Sequence, residues 1–221
     1  MKKIIYCCSA LLLCTFIIFA VPAGAKDTMA SEASQPIKVL DTMREFGRLE
    51  QDKIASKASG TIAAQGKTIQ VEKDELELIA GRRQLTNDPD ATENALKHLL
   101  RREALYNLAL QAGVQVSDDE VYDLIDLQKE DFSKLTDNTE FADAFLEGLG
   151  MTWDEYWDTQ YDLLRKEIFI DKYLRQVALE KTGSSEMSRW DTKQRQEWSA
   201  MVDKLAQNYI KKDNIRYLNM P

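Results

Sequence analysis

The sequence predicts a mainly α protein, a multi-helix core carrying a small β element, and three observations lead there. Four prolines and nine glycines in 221 residues leave room for long helices, and the many Leu, Ala, Glu, Lys, Gln and Arg residues favour them. Across residues 91–112 the apolar positions Leu96, Leu99, Leu100, Ala104, Leu105, Leu108, Ala109 and Ala112 fall mostly three or four apart. That is the period of a helix burying one face. β-prone pieces occur in two short places, residues 61–71 and 215–218.

The first 25 residues are a different material. Lys2-Lys3 precede an almost unbroken apolar run from Ile4 to Val21, and Ala23-Gly24-Ala25 follows Pro22 as a small-x-small cleavage site. This reads as a signal peptide cut between Ala25 and Lys26. An uncleaved anchor is the rival, because a bilayer span needs roughly 17–25 residues; the cleavage site favours removal. Cys7, Cys8 and Cys14 all lie here, so the exported chain would have no cysteine. Disulfides, thiol catalysis and cysteine metal sites are then excluded together. Losing Lys2 and Lys3 takes the formal charge from −8 to −10. Such acidity argues against nucleic acid or an anionic membrane as the main partner. Membrane contact is expected only through the N-terminal segment, if it is retained.

Residues 26–36 are polar and small and read as a flexible start, leaving residues 37–221 as one helical domain. Ile37, Leu40, Met43, Phe46, Gly47 and Ile54 form an irregular apolar stripe on a first helix. Residues 61–71 then read as two short strands around a tight turn at Gln65-Gly66-Lys67. Gly66-Lys67-Thr68 imitates the end of a phosphate-binding loop. Thr61 stands where that loop needs its first glycine, and Ile-Gln-Val follows where a helix is needed. A hairpin is the better reading.

Residues 72–85 form a short helix, with acids in the first turn and Arg82-Arg83 in the last, as the helix dipole prefers. The 91–112 helix ends at Gly113, suited to a left-handed terminus. Ser117 and Glu120 then make a capping box for the next helix, which buries Val121, Leu124, Ile125 and Leu127. The sole histidine, His98, reads as a boundary or solvated residue, since no second histidine exists to share a metal or a proton relay. Asn138 or Thr139 can cap a short helix carrying Phe141, Ala142, Phe145, Leu146 and Leu149, which Gly148 and Gly150 should stop. Thr152 with Glu155 opens the longest helix, 152–181, whose aromatic stripe can contact two layers. A last helix over 189–212 ends at Asn214, before a short strand in 215–218.

In order, IAAQGKTIQVEKDEL, ALKHLLRREALYNLALQAGVQVSDDEVYDLI, FLEGLGMTWDEYWDTQYDLLRKEIFIDKYL and LAQNYIKKDNIRYL resemble the SurA/PrsA group of extracytoplasmic chaperones, which are partly related to trigger factor. The resemblance covers residues 61–179 and 201–218. It implies a SurA N-terminal-like core in which the C-terminal helix and strand, residues 189–218, pack back on the N-terminal part. It also implies an apolar cradle for unfolded chains. Many of that group insert a parvulin isomerase domain after the long helix. Here only residues 182–200 lie in that place, and the paired histidines of such a site are missing.

The expectation is therefore an exported holding chaperone without catalysis, cofactor or metal, acting on unfolded or partly folded exported proteins. The expected peptide-binding residues are Phe145, Leu149, Met151, Trp153, Tyr156, Trp157 and Tyr161, since methionine and aromatic surfaces adapt to varied partners. The alternative is an envelope adaptor or structural protein using the same fold for one dedicated partner.

Overall fold

Helix-forming periodicity accounts for most of residues 35–56, 60–134, 139–186 and 190–220, which the computed structural model describes. The signal-peptide reading and the Asn138 cap lie outside these residues. The elements are α1 (Gln35–Ser56), β1 (Ile62–Gln65), β2 (Gln70–Glu72), α2 (Lys73–Leu85), α3 (Ala91–Gln111) and α4 (Asp118–Lys134). They continue with α5 (Thr139–Leu149), α6 (Trp153–Thr159), α7 (Tyr161–Thr182), α8 (Thr192–Asp213) and β3 (Arg216–Tyr217). The protein is mainly α with a small antiparallel sheet of order β2-β1-β3, as expected. The first helix begins at Gln35, inside the stretch read as a flexible start. No helix among the described residues is long and apolar enough to cross a membrane.

Helix α3 is the central post. Its buried Ala95, Leu99, Ala104 and Leu105 join Ile69, Val71 and Leu76 from the hairpin and α2, and Val202 and Ala206 from α8, in one core. Its far end, at Ala109, joins a second core with Val121, Leu124 and Ile125 of α4, Leu149 of α5, Trp157 of α6 and Ile168 of α7. One helix thus buries different faces against different layers, and the linker residues Val114 and Val116 plug the second core.

The ends of the elements follow local chemistry. Gly113, Gly183 and Asn214 adopt φ of 73°, 74° and 59° past α3, α7 and α8. The Ser117 amide donates to Glu120 Oε2 at 3.0 Å, and the Glu120 amide donates to Ser117 Oγ at 3.3 Å. Reciprocal boxes also start α6 (Thr152 with Glu155) and α8 (Asp191 with Gln194).

Three sequence readings change. The turn sits at Gly66–Ile69, with the Gly66 amide donating to the Ile69 carbonyl at 2.8 Å. Gly148 does not stop α5: it lies within it, opposite α1, where a Cβ would fall on the Arg44 carbonyl. Gly47 of α1 likewise faces the Phe145 carbonyl, so the two glycines let these backbones cross in direct contact. The 152–181 helix is two helices. Thr159 Oγ1 donates to the Tyr156 carbonyl at 2.7 Å, and the Gln160 amide donates to Trp157 at 3.1 Å. That tight final turn ends α6 before α7 begins.

The terminal segments come together. β1 pairs with β2 and β3, matching Ala64 with Val71 on one side and with Tyr217 on the other. The sheet is small, but it joins the two halves of the sequence.

Candidate functional site

The α1–α5 crossing brings Met43 and Phe46 of α1 beside Ala142 and Phe145 of α5. Trp153 and Tyr156 of α6, with Leu163 and Leu164 of α7, extend this apolar wall around a cleft of ≈ 150 Å3. Phe145 stacks on Trp153 at 5.9 Å between ring centroids and meets Tyr156 edge-on at 5.5 Å. Such pairs favour offset or edge-to-face geometry, which makes this wall a stiff aromatic corner. An apolar cavity of about 150 Å3 holds a benzene-sized molecule. The cleft therefore has room for one large side chain, not for a folded surface.

Its opposite side is ionic. Glu50 of α1 pairs with Arg82 of α2, and Lys53 lies 4.0 Å from Glu50. Arg102 of α3 bridges Glu75 at 2.7 Å and Glu103 at 2.9 Å, and Lys166 reaches Glu103 at 2.7 Å. Burial pushes Glu75 up, but Arg102 beside it more than offsets this and leaves the carboxyl below its ordinary value. Burial works against the Arg102 charge too, and Glu75 and Glu103 more than restore it. These groups hold one another's charge inside the protein, as buried ions must.

Gln128, Glu167 and Tyr156 are polar groups of the cleft outside this ion-pair network. Gln128 is 6% exposed, and its Oε1 has no hydrogen-bond partner among the described residues. Glu167 of α7 makes no direct ion pair or hydrogen bond there; burial raises its pKa, with Arg102 and Lys166 opposing from a distance. The Tyr156 hydroxyl is also pushed up, by burial and then by Glu50. His98 stands exposed at the rim. Partial desolvation, followed by Arg102, Arg83 and Arg101, takes its pKa from 6.5 to about 4, so it is neutral near pH 7.

Of the seven residues expected to bind peptide, Phe145, Trp153 and Tyr156 line this cleft. Leu149 and Trp157, 0% and 2% exposed, are packed in the second core instead. Met151 and Tyr161 are half-buried against that same core, and Tyr161 Oη donates to Asp118 Oδ1 at 2.6 Å. The aromatic spacing identified one wall only. Met43, Phe46 and Gln128 were missed as site residues because they come from helices distant in sequence, and Glu167 because it sits among the charged residues of α7. Sequence alone offered a weak signal for Glu167, an acid directly before the apolar run Ile168-Phe169-Ile170.

Comparison with family models, with curated proteins and with solved structures found no match for this chain.

Proposed function

We propose that the protein is an extracytoplasmic holding chaperone, which binds unfolded or extended segments of exported proteins and performs no isomerase chemistry. The observation that carries this reading is the open cleft between α1, α5, α6 and α7. Its aromatic corner of Phe145 and Trp153 offers a client side chain an apolar seat. Burial of client apolar surface supplies the attraction, and the acidic charge, −8 for the full sequence and −10 without Lys2 and Lys3, keeps a loaded complex soluble. The ordered resemblance to the SurA/PrsA group and the signal-like N-terminus support the same reading, with action outside the cytoplasm as part of the proposal.

The test is suppression of aggregation across a panel of unrelated unfolded proteins, with Phe145→Ala and Trp153→Ala for comparison. Protection of several clients, reduced in both variants, is the expected result. One observation favours a dedicated adaptor: the cleft seats about one side chain, while Leu149 and Trp157 are committed to the core. Failure on the whole panel, together with tight binding to a single envelope protein, would decide for that alternative.

A further inference from the structure

Two buried or part-buried acceptors of the cleft, Gln128 Oε1 and the Glu167 carboxyl, favour a guest that brings donors. Gln128 Oε1 is buried without a donor, and Glu167 presents a carboxyl without a direct partner among the described residues. Leaving such groups unpaired in a low-dielectric site is costly, so a guest that brings donors gains what the free protein lacks. The resident cations do not repel such a guest as free charges, because Arg82, Arg102, Lys53 and Lys166 each have an acid within 4.0 Å. The rim imidazole of His98 is neutral near pH 7 and adds no charge.

The walls select the rest of the guest. Phe145, Trp153, Leu163 and Phe46 suit a methylene stem, and the faces of Phe145 and Trp153 attract a cationic head. From these observations we infer that the cleft recognises a lysine or arginine side chain of an extended client segment, its stem against Phe145 and Trp153 and its head donating to Glu167 and Gln128. The inference rests on the holding reading and names the side chain that anchors the client. The acidic surface draws such segments in before they seat.

The experiment uses the full chain and fluorescent peptides of one extended apolar sequence, with a central Lys, Arg, Met or Glu. The Lys and Arg peptides should bind at least tenfold tighter than the Met peptide, and the Glu peptide weakest. Glu167→Gln should bring Lys and Met within about twofold of each other, with Gln128→Leu acting in the same direction. Glu180→Gln removes a charge from the exposed part of the same helix and should leave the preference intact. An equal loss in Glu180→Gln would assign the preference to bulk charge and overturn the inference. Equal binding of Lys and Met peptides, with client protection retained, would overturn the anchor and spare the holding function. Absence of both peptide binding and protection would remove both.

Discussion

The Asp213 carboxylate accepts from the amides of Thr68 and Ile69, each at 2.9 Å, and from the Thr68 hydroxyl at 2.8 Å. The Gly66-Lys67-Thr68 turn that imitates a phosphate loop does bind an anion, and the anion is the protein's own. This clamp fastens the end of α8 to the hairpin, and β3 follows directly onto β1.

Asp213 is 5% exposed, so its hydrogen bonds are charge-assisted and poorly replaced by water. Asp213→Ala leaves the buried Ile69 amide and the part-buried Thr68 amide without their acceptor. Asp213→Asn sets an amide N–H against one of them. Both should destabilise by about 2–3 kcal/mol, a fall in melting temperature of roughly 5–10 °C for a chain of this size. Thermal unfolding measures the loss. Hydrogen exchange should show the Leu218 amide, bonded to the Ala63 carbonyl at 2.8 Å, losing protection first.

Gly148→Ala gives a sign test of the α1–α5 crossing. Helix propensity alone favours Ala over Gly by roughly 0.8–1 kcal/mol. The new Cβ, however, meets the Arg44 backbone, which is held in its own helix and cannot swing aside. Packing should win, with an overpacking cost near the top of the usual range of about 1–3 kcal/mol, a net destabilisation of about 1–2 kcal/mol after the propensity gain, and a changed tryptophan emission as Phe145 moves against Trp153. A higher melting temperature would show that the helices do not cross this closely.

What could be read in advance was local. Ser117 with Glu120, Gly113, Thr152 with Glu155 and Asn214 mark ends through their own backbone chemistry, and the structure uses each of them. The hairpin was legible through its two β-prone pieces, though its turn lies one residue further on than Gln65-Gly66-Lys67. What failed was whatever depends on residues far apart in sequence. Gly148 looks like a stop until α1 lies across it, and Thr159-Gln160 looks helical until the Thr159 hydroxyl takes the Tyr156 carbonyl. Arg102 and Glu103 are buried through partners on α2 and α7, and no local pattern in α3 announces it. The cleft was half legible for the same reason: its aromatic corner is nearly contiguous in sequence, and its polar side is assembled from five helices.

The Glu50–Arg82 pair joins α1 to α2 beneath the cleft, with side-chain exposures of 4% and 13%. Removing one partner takes the strongest contact from the other in a site that hydrates poorly, with Lys53 at 4.0 Å from Glu50 only a weak substitute. Glu50→Leu and Arg82→Met should each cost about 3–5 kcal/mol. The double variant should recover most of that loss, because an apolar pair of similar volume needs no compensation. Equilibrium denaturation of the three variants forms a double-mutant cycle, and strict additivity would show that the two side chains do not depend on each other.

Glu167 gives the pH test. Burial is the main cause of its raised pKa, with Glu103 and Glu75 adding to it and Arg102 and Lys166 opposing. The folded state therefore holds this proton more tightly than the unfolded chain, whose value is near 4.5. Its favourable contribution is complete below that pH and is lost as pH rises through the raised folded value. Glu120 behaves oppositely. Burial raises it, but Lys172 and the Ser117 amide bring it below 4.5, so its contribution is present above that pH and lost as pH falls. Glu167→Gln should thus melt about 2–4 °C above the wild type at pH 8, a gain of roughly 1 kcal/mol, and show no gain at pH 4. Glu120→Gln should melt lower at pH 8 and approach the wild type at pH 4. A gain for Glu167→Gln that stays constant across this range would mean that the carboxyl is not the strained group. If the gain appears at pH 8 and the lysine preference disappears in the same variant, the cleft retains Glu167 for binding at the expense of stability.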